Sequence, residues 1–195
     1  MCAARFRARG GKGTAMKKLI QMLERRGLRV ATAESCTGGL IAKILTDTPG
    51  ASAVFEGGAV TYSNALKQSL LGVRTETLDF YGAVAGQTAE EMAAGIRAIS
   101  GADIAVSTTG VAGPDGGSVS KPVGTVYIGV STAARTYSRG FLFAGNRTQI
   151  RRQTAKMAFR LLQHEAKNMK APSALKKSTQ KQKKLLTIRG RGDKI

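Results

Sequence analysis

Thr32-Ala33-Glu34-Ser35-Cys36-Thr37-Gly38-Gly39 lies between the apolar run Leu28–Ala33 and the helical stretch Leu40–Thr46. A short apolar run that ends in a Gly-containing turn reads as a buried strand, and the periodic stretch after it reads as a helix. In a strand-turn-helix unit the turn sits at the C-terminal edge of the strand. The first amides of the helix point at whatever occupies that edge. Ser35 is therefore placed to act on a ligand, and the backbone of Thr37, Gly38 and Gly39 is placed to hold a phosphate or an oxyanion. The same residues have a plainer role open to them, because Ser and Thr before a helix are its ordinary caps. Cys36 is a rival nucleophile. It has no base beside it in sequence and reads as a small buried hydrophobe.

The pattern repeats outward from this unit. Lys17–Arg26 reads as a helix stopped by Gly27, Val54–Thr61 as a strand, and Asn64–Leu71 as a helix stopped by Gly72. Gln87–Ser100 is helical with Met92, Ile96 and Ile99 facing inward, and Ile104–Thr108 is a strand. Val123–Ser131 and Thr136–Phe143 are two neighbouring strands, and Arg147–Ala166 is a long helix with Ile150, Met157, Leu161 and Leu162 on one stripe. Alternating strands and helices predict an α/β protein, a three-layer α/β/α sandwich. The consecutive late strands make its central sheet mixed.

A chain of 195 residues is expected to form one domain with a substantial core. Its net charge of +19 is concentrated at the ends. Residues 1–15 hold four basic residues and no acid, and residues 167–195 hold ten basic residues and one acid. Like-charged blocks repel themselves, so both are expected to be disordered, flanking a domain at 16–166. The first has no apolar core and is no secretory signal; it reads as a plain extension or as sequence upstream of a start at Met16. The second, with Lys176, Lys177, Lys183, Lys184, Arg189 and Arg191, suits non-specific phosphate contact with nucleic acid, although no aromatic residue interleaves the charges for stacking. No apolar stretch approaches the ~18 residues of a membrane span. Cys2 and Cys36 lie in unlike contexts, which suits a reducing, cytoplasmic compartment. A single histidine, His164, leaves no room for a Ser-His-Asp or Cys-His site. Without a Cys/His cluster or paired acids, nothing calls for a metal or cofactor.

Three further stretches bear on chemistry. In Thr61-Tyr62-Ser63-Asn64-Ala65-Leu66-Lys67, Lys67 falls about one turn after Asn64. A lysine acts as a base only where desolvation keeps it neutral, and most helical lysines are solvated. Thr108-Thr109-Gly110-Val111-Ala112-Gly113-Pro114-Asp115-Gly116-Gly117 follows a strand and reads as a loop where backbone approaches a ligand. It is neither a Walker loop nor a dinucleotide fingerprint. In Gly145-Asn146-Arg147, Asn146 is a good helix cap. Arg147, with Arg151 one turn later, puts cations at a helix start, which suits a bound anion. Two solvated arginines on a basic protein are the plainer alternative.

Taken in order, the motif at 32–39, Val60–Asn64 with Lys67, Leu71-Gly72-Val73, Tyr81-Gly82-Ala83-Val84, Gly110–Gly117, Lys121–Tyr127, and Gly145-Asn146-Arg147 with Arg151 resemble the CinA C-terminal domain family, the nicotinamide-nucleotide amidohydrolases. The resemblance covers about 16–165. It implies the mixed-sheet α/β/α fold, a homo-oligomer, and hydrolysis of nicotinamide mononucleotide to nicotinate mononucleotide and ammonia. It also implies a Ser-Lys dyad that maps onto Ser35 and Lys67, with Tyr62 nearby. The substrate contacts expected beside them are Thr37, Gly38, Gly39, Asn64, Thr109, Gly110, Gly113, Arg147 and Arg151. Larger members carry a separate N-terminal domain, for which this chain has no room. Two positions depart from the family pattern. Ala85-Gly86 stands where Ser-Glu is common, and Asn146 where Asp is common. Two alternatives are a catalytically silent nucleotide-binding module and a nucleic-acid-associated protein acting through its basic tails.

Overall fold

The computed structural model describes residues 12–169. The expected disordered tails therefore lie largely outside the described residues. The chain runs α1 (Lys12–Arg26), β1 (Val30–Glu34), α2 (Leu40–Thr46), β2 (Phe55–Val60), α3 (Asn64–Leu71), α4 (Thr75–Tyr81), α5 (Gly86–Ser100), β3 (Ile104–Gly110), β4 (Thr125–Thr132), β5 (Thr136–Leu142) and α6 (Arg147–Asn168). Helix α1 reaches back to Lys12, past the boundary expected at Met16. Helix α4 has no counterpart in the sequence reading, because only Thr77 and Leu78 are buried in it, too few to set a period. Ile99, expected to face inward, is 58% exposed in the last turn of α5; Ala102, beyond the left-handed stop at Gly101, is the buried residue there.

The five strands form one mixed sheet in the order β2-β1-β3-β4-β5. Strand β1 is parallel to β2 on one side and to β3 on the other, and β4 and β5 continue antiparallel. One face carries Val30, Ile104, Val106, Val126, Ile128 and Val130, packed with residues of α1, α2 and α6 such as Leu23, Ile41 and Leu162. The other carries the small residues Ala31, Ala33 and Ala105, packed with Leu71, Leu78, Met92 and Ile96 from α3, α4 and α5. This is the three-layer α/β/α sandwich with a mixed central sheet that the alternation predicts.

The topology marks an edge. From β1 the chain crosses to β2 on one side and then to β3 on the other, so the crevice lies at the C-terminal ends of β1 and β3. The register puts Glu34 opposite both Val60 and Thr108. The Ser35 turn, the β2–α3 connection and the Gly-rich loop after β3 therefore meet at one place.

Two glycines set how closely α5 and α3 approach. A Cβ on Gly129 would run into the Ala89 carbonyl, so α5 lies tight on β4. A Cβ on Gly95 would run into the carbonyl of Leu71, the last residue of α3. Gly95 thus fixes the seat of the helix that carries Lys67. Helix propensity alone favours Gly95→Ala by about 1 kcal/mol, whereas forced repacking costs about 1–3 kcal/mol. We expect the variant to melt about 2–6 °C lower by calorimetry. A rise in Tm would show that α3 does not rest against this position.

Candidate active site

The turn after β1 is built from its glycines and from a buried acid. Gly38 and Gly39 take φ of 58° and 87°, the left-handed region that favours glycine. The Ser35 amide donates to Thr108 O at 2.9 Å, and the Gly38 amide returns to Ser35 O at 3.1 Å. The cap of α2 is neither Ser35 nor Thr37. Gly39 is the capping residue and makes no side-chain bond. The buried Glu34 carboxylate instead accepts the amides of Ile41 at 3.1 Å and Ala42 at 2.8 Å. Thr37 Oγ1 meets Thr108 Oγ1 at 2.7 Å. With the cap made by Glu34, the Ser35 hydroxyl is left to other partners. The amide of Gly39, a half-buried residue, has no hydrogen-bond partner among the described residues, so it remains available as a donor.

Lys67 is only 1% exposed although it lies on a short helix. Ser63 caps that helix, its hydroxyl accepting the Leu66 amide at 3.1 Å. The Lys67 Nζ has three oxygens around it: Ser35 Oγ at 3.3 Å, Thr61 O at 3.0 Å and Tyr62 O at 3.2 Å. Burial pushes the amine below the ordinary lysine value, and no carboxylate acts on it to raise it again. A neutral amine has two N–H bonds and one lone pair. As an ammonium Lys67 donates to all three oxygens; once it loses a proton, the two carbonyls, which can only accept, keep the N–H bonds and the lone pair is left for the serine hydroxyl. That is the arrangement a base needs to activate a hydroxyl nucleophile. Between the folded and the ordinary value the unfolded chain binds more protons, so this group makes stability rise with pH across that window.

Cys36 is buried beside this pair, and desolvation pushes its thiol up to about 12. A thiol held protonated is a poor nucleophile, which agrees with the reading of Cys36 as a small hydrophobe.

The remaining expected residues fall into three groups. Tyr62 holds Lys67 through its backbone carbonyl, while its phenol, on a side chain 62% exposed, accepts from Arg147 Nη2 at 3.2 Å. Arg147 Nη1 donates to Gly113 O at 2.9 Å, so the arginine bridges the β2–α3 connection and the Gly-rich loop. Arg151 donates to Thr37 O from Nε at 3.2 Å and from Nη2 at 2.6 Å. Two others make structural contacts: Thr109 Oγ1 donates to Ala83 O at 2.6 Å, and a Cβ on Gly110 would come within 2.6 Å of Thr125 O. Asn64 is the exposed first residue of α3, and its side chain bonds no described residue, so it does not share the buried setting of Lys67. Sequence reasoning missed the capping role of Glu34, the two carbonyls on Lys67 and the contacts of Thr108. Glu34 stood inside the quoted motif, whereas no side-chain pattern signals a carbonyl.

The two departures are accommodated. Asn146 caps α6 in a reciprocal pair with Gln149, at 3.0 and 2.8 Å. Ala85 starts α5 without a side-chain cap, and Gly86 fits where a Cβ would come within 2.7 Å of Ser138 Oγ. A cavity of about 390 Å³ opens there, flanked by Tyr81, Gln87, Glu90, Lys121, Tyr127 and Ser138. Ser35 and Lys67 do not line it. Among the described residues no three His, Cys, Asp or Glu side chains cluster as metal ligands, and no helix is long and apolar enough to cross a membrane.

Comparison with known proteins gives a consistent result. A CinA-like protein of Chloroherpeton thalassium is 60% identical over 121 residues, 62% of this chain and 29% of the relative. One of Syntrophotalea carbinolica is 46% identical over 159 residues, 82% of this chain and 39% of the relative. The chain thus spans about a third of the length of the curated relatives it matches. Solved structures match over nearly their whole length. A CinA superfamily protein of Klebsiella pneumoniae superposes with a TM-score of 0.78 at 33% identity, covering 82% of this chain and 99% of that one. The competence/damage inducible protein CihA of Agrobacterium tumefaciens superposes with a TM-score of 0.76 at 42% identity, covering 80% and 97%. Residues 12–166 match the CinA C-terminal domain, and the chain belongs to that family.

Proposed function

We propose that this chain is an amidohydrolase that converts nicotinamide mononucleotide to nicotinate mononucleotide and ammonia. One observation carries the chemistry: the Lys67 amine is buried 3.3 Å from Ser35 Oγ, its other oxygen neighbours are two carbonyls, and once it has lost a proton its lone pair is left for the serine hydroxyl. The substrate follows from the resemblance of the site motifs. In this reading the chain works in the cytoplasm as a homo-oligomer.

The reaction is an acyl transfer in two halves. Lys67 takes the Ser35 proton as Oγ bonds to the carboxamide carbon. The Gly39 amide takes the developing oxyanion, a contribution of roughly 3–4 kcal/mol for a well-placed donor. The carbon–nitrogen bond then breaks. The lysine ammonium returns its proton to the departing nitrogen, which leaves as ammonia, and the Tyr62 phenol is a second donor at the mouth. Water attacks the ester with Lys67 again as base, the carbon–oxygen bond to Ser35 breaks, and the acid is released. The 5′-phosphate sits at the start of α6 against Arg147. Gly38, Asn64, Thr109, Gly110 and Gly113 shape the walls of the cleft.

Ammonia release from nicotinamide mononucleotide, measured in a coupled assay, tests this directly. Ser35→Ala and Lys67→Ala should each lower kcat by about 10³-fold or more with the fold intact, while Cys36→Ala should stay within about three-fold of the parent because its thiol carries no step. An active Ser35→Ala with a dead Cys36→Ala would move the nucleophile to the thiol. The pH profile has a sign fixed by the site. Activity should rise with pH along one ionisation whose midpoint lies below the ordinary lysine value. Lys67→Arg should abolish that limb along with the activity, since a guanidinium keeps its proton. A flat profile across that range would remove Lys67 from the role of base.

A further inference from the structure

We infer that Arg151 is a positioning residue, which holds the Ser35 turn in its reactive shape through the carbonyl of Thr37 instead of binding the substrate's phosphate. The inference rests on the proposed hydrolase reading and assigns one of its cationic residues.

Arg147 and Arg151 are one turn apart on α6, and from sequence alone both read as anion ligands. Their surroundings differ. Arg147 spans from Gly113 O to an exposed phenol at the mouth. Arg151 turns the other way and fixes a single carbonyl with two donors, Nε at 3.2 Å and Nη2 at 2.6 Å. That fork grips one oxygen in a defined direction. The oxygen belongs to Thr37, which is fully buried and pinned a second time by its hydroxyl on Thr108, at 2.7 Å.

The turn also has the shape of the arginine built into it. A Cβ on Gly38 would come within 3.2 Å of Arg151 Nη2, so the guanidinium packs directly on the left-handed segment. Three anchors therefore fix the turn: Glu34 on the α2 amides, Thr108 on the Thr37 hydroxyl, and Arg151 on the Thr37 carbonyl. The first two lie within or beside the β1–β3 crevice. Arg151 is the one that ties the turn to α6, the helix that packs beside α2 on the same face of the sheet. A carbonyl held in a fixed direction sets the plane of its own peptide and restricts the peptides on either side, one of which carries the Gly39 amide. Misplacement of a reacting group by about 1 Å costs about 100-fold in rate.

The test compares nicotinamide mononucleotide with its phosphate-free riboside, using wild type, Arg151→Lys and Arg151→Ala, and Arg147→Ala as the contrast. Arg151→Ala should lower kcat about 10- to 100-fold on both substrates, with KM changed less than about three-fold. Millimolar guanidinium should restore part of that kcat. Arg151→Lys should recover less than guanidinium does, because an ammonium is a point donor and not a fork. Arg147→Ala should raise KM for the phosphorylated substrate alone. A KM defect in Arg151→Ala that vanishes with the riboside would overturn the assignment and make Arg151 a phosphate ligand. If wild type releases no ammonia from either substrate, the hydrolase reading fails. Hydrogen exchange then decides the clamp by itself: faster exchange of the Gly38 and Gly39 amides in Arg151→Lys upholds it, and unchanged exchange overturns it.

Discussion

A lysine side chain cannot be buried in its charged form without heavy cost unless a counter-charge meets it. Lys67 is buried, and the groups around its nitrogen are a serine hydroxyl and two backbone carbonyls. Much of the structure near the sheet edge can be understood as what makes that tolerable. Ser63 caps α3 so that the lysine emerges one turn later, pointing inward. The β2–α3 connection bends so that the carbonyls of Thr61 and Tyr62 face the amine. Gly95 lets α3 settle against α5. Together these arrangements seat the buried amine, and it is the burial that favours the neutral form which the proposed reaction needs.

The second constraint is that the serine must be held still. A turn containing two left-handed glycines is mobile unless something beyond the backbone fixes it. Here the fixing is distributed over both sides of the turn. Glu34 satisfies the first amides of α2 from within the strand, Thr108 reaches across from β3, and Arg151 descends from α6. The topology makes this possible, because the crevice between β1 and β3 is where chain segments from both layers converge. The same convergence brings the Gly113 loop and Arg147 to the rim.

The sequence made the architecture legible because periodicity reports burial. The long helices α5 and α6 and the hairpin of β4 and β5 carry clear patterns. Helix α4 does not, since its short span buries two residues, and Ile99 broke the pattern in a terminal turn. The site was legible in its residue types and hidden in its partners. Ser35 and Lys67 are 32 positions apart, and nothing in their spacing says that they meet at 3.3 Å; that link came from the resemblance. The caps of α2 show the limit most clearly. Ser35 and Thr37 had the chemistry of caps, yet a buried acid one position before the serine took that place and left the hydroxyl available. Arg147 and Arg151 looked equivalent by spacing, and only the direction of each guanidinium separates them.

The claim that underlies the rest is that the Lys67 amine loses its proton more readily than a lysine in water. Nuclear magnetic resonance of lysine labelled at the ζ-nitrogen, assigned with Lys67→Arg and followed as the pH is raised, reads that ionisation without any substrate. The account predicts one signal that titrates at lower pH than the surface lysines and shifts when Ser35 is replaced by Ala. A Lys67 signal that titrates together with the solvated lysines would contradict it.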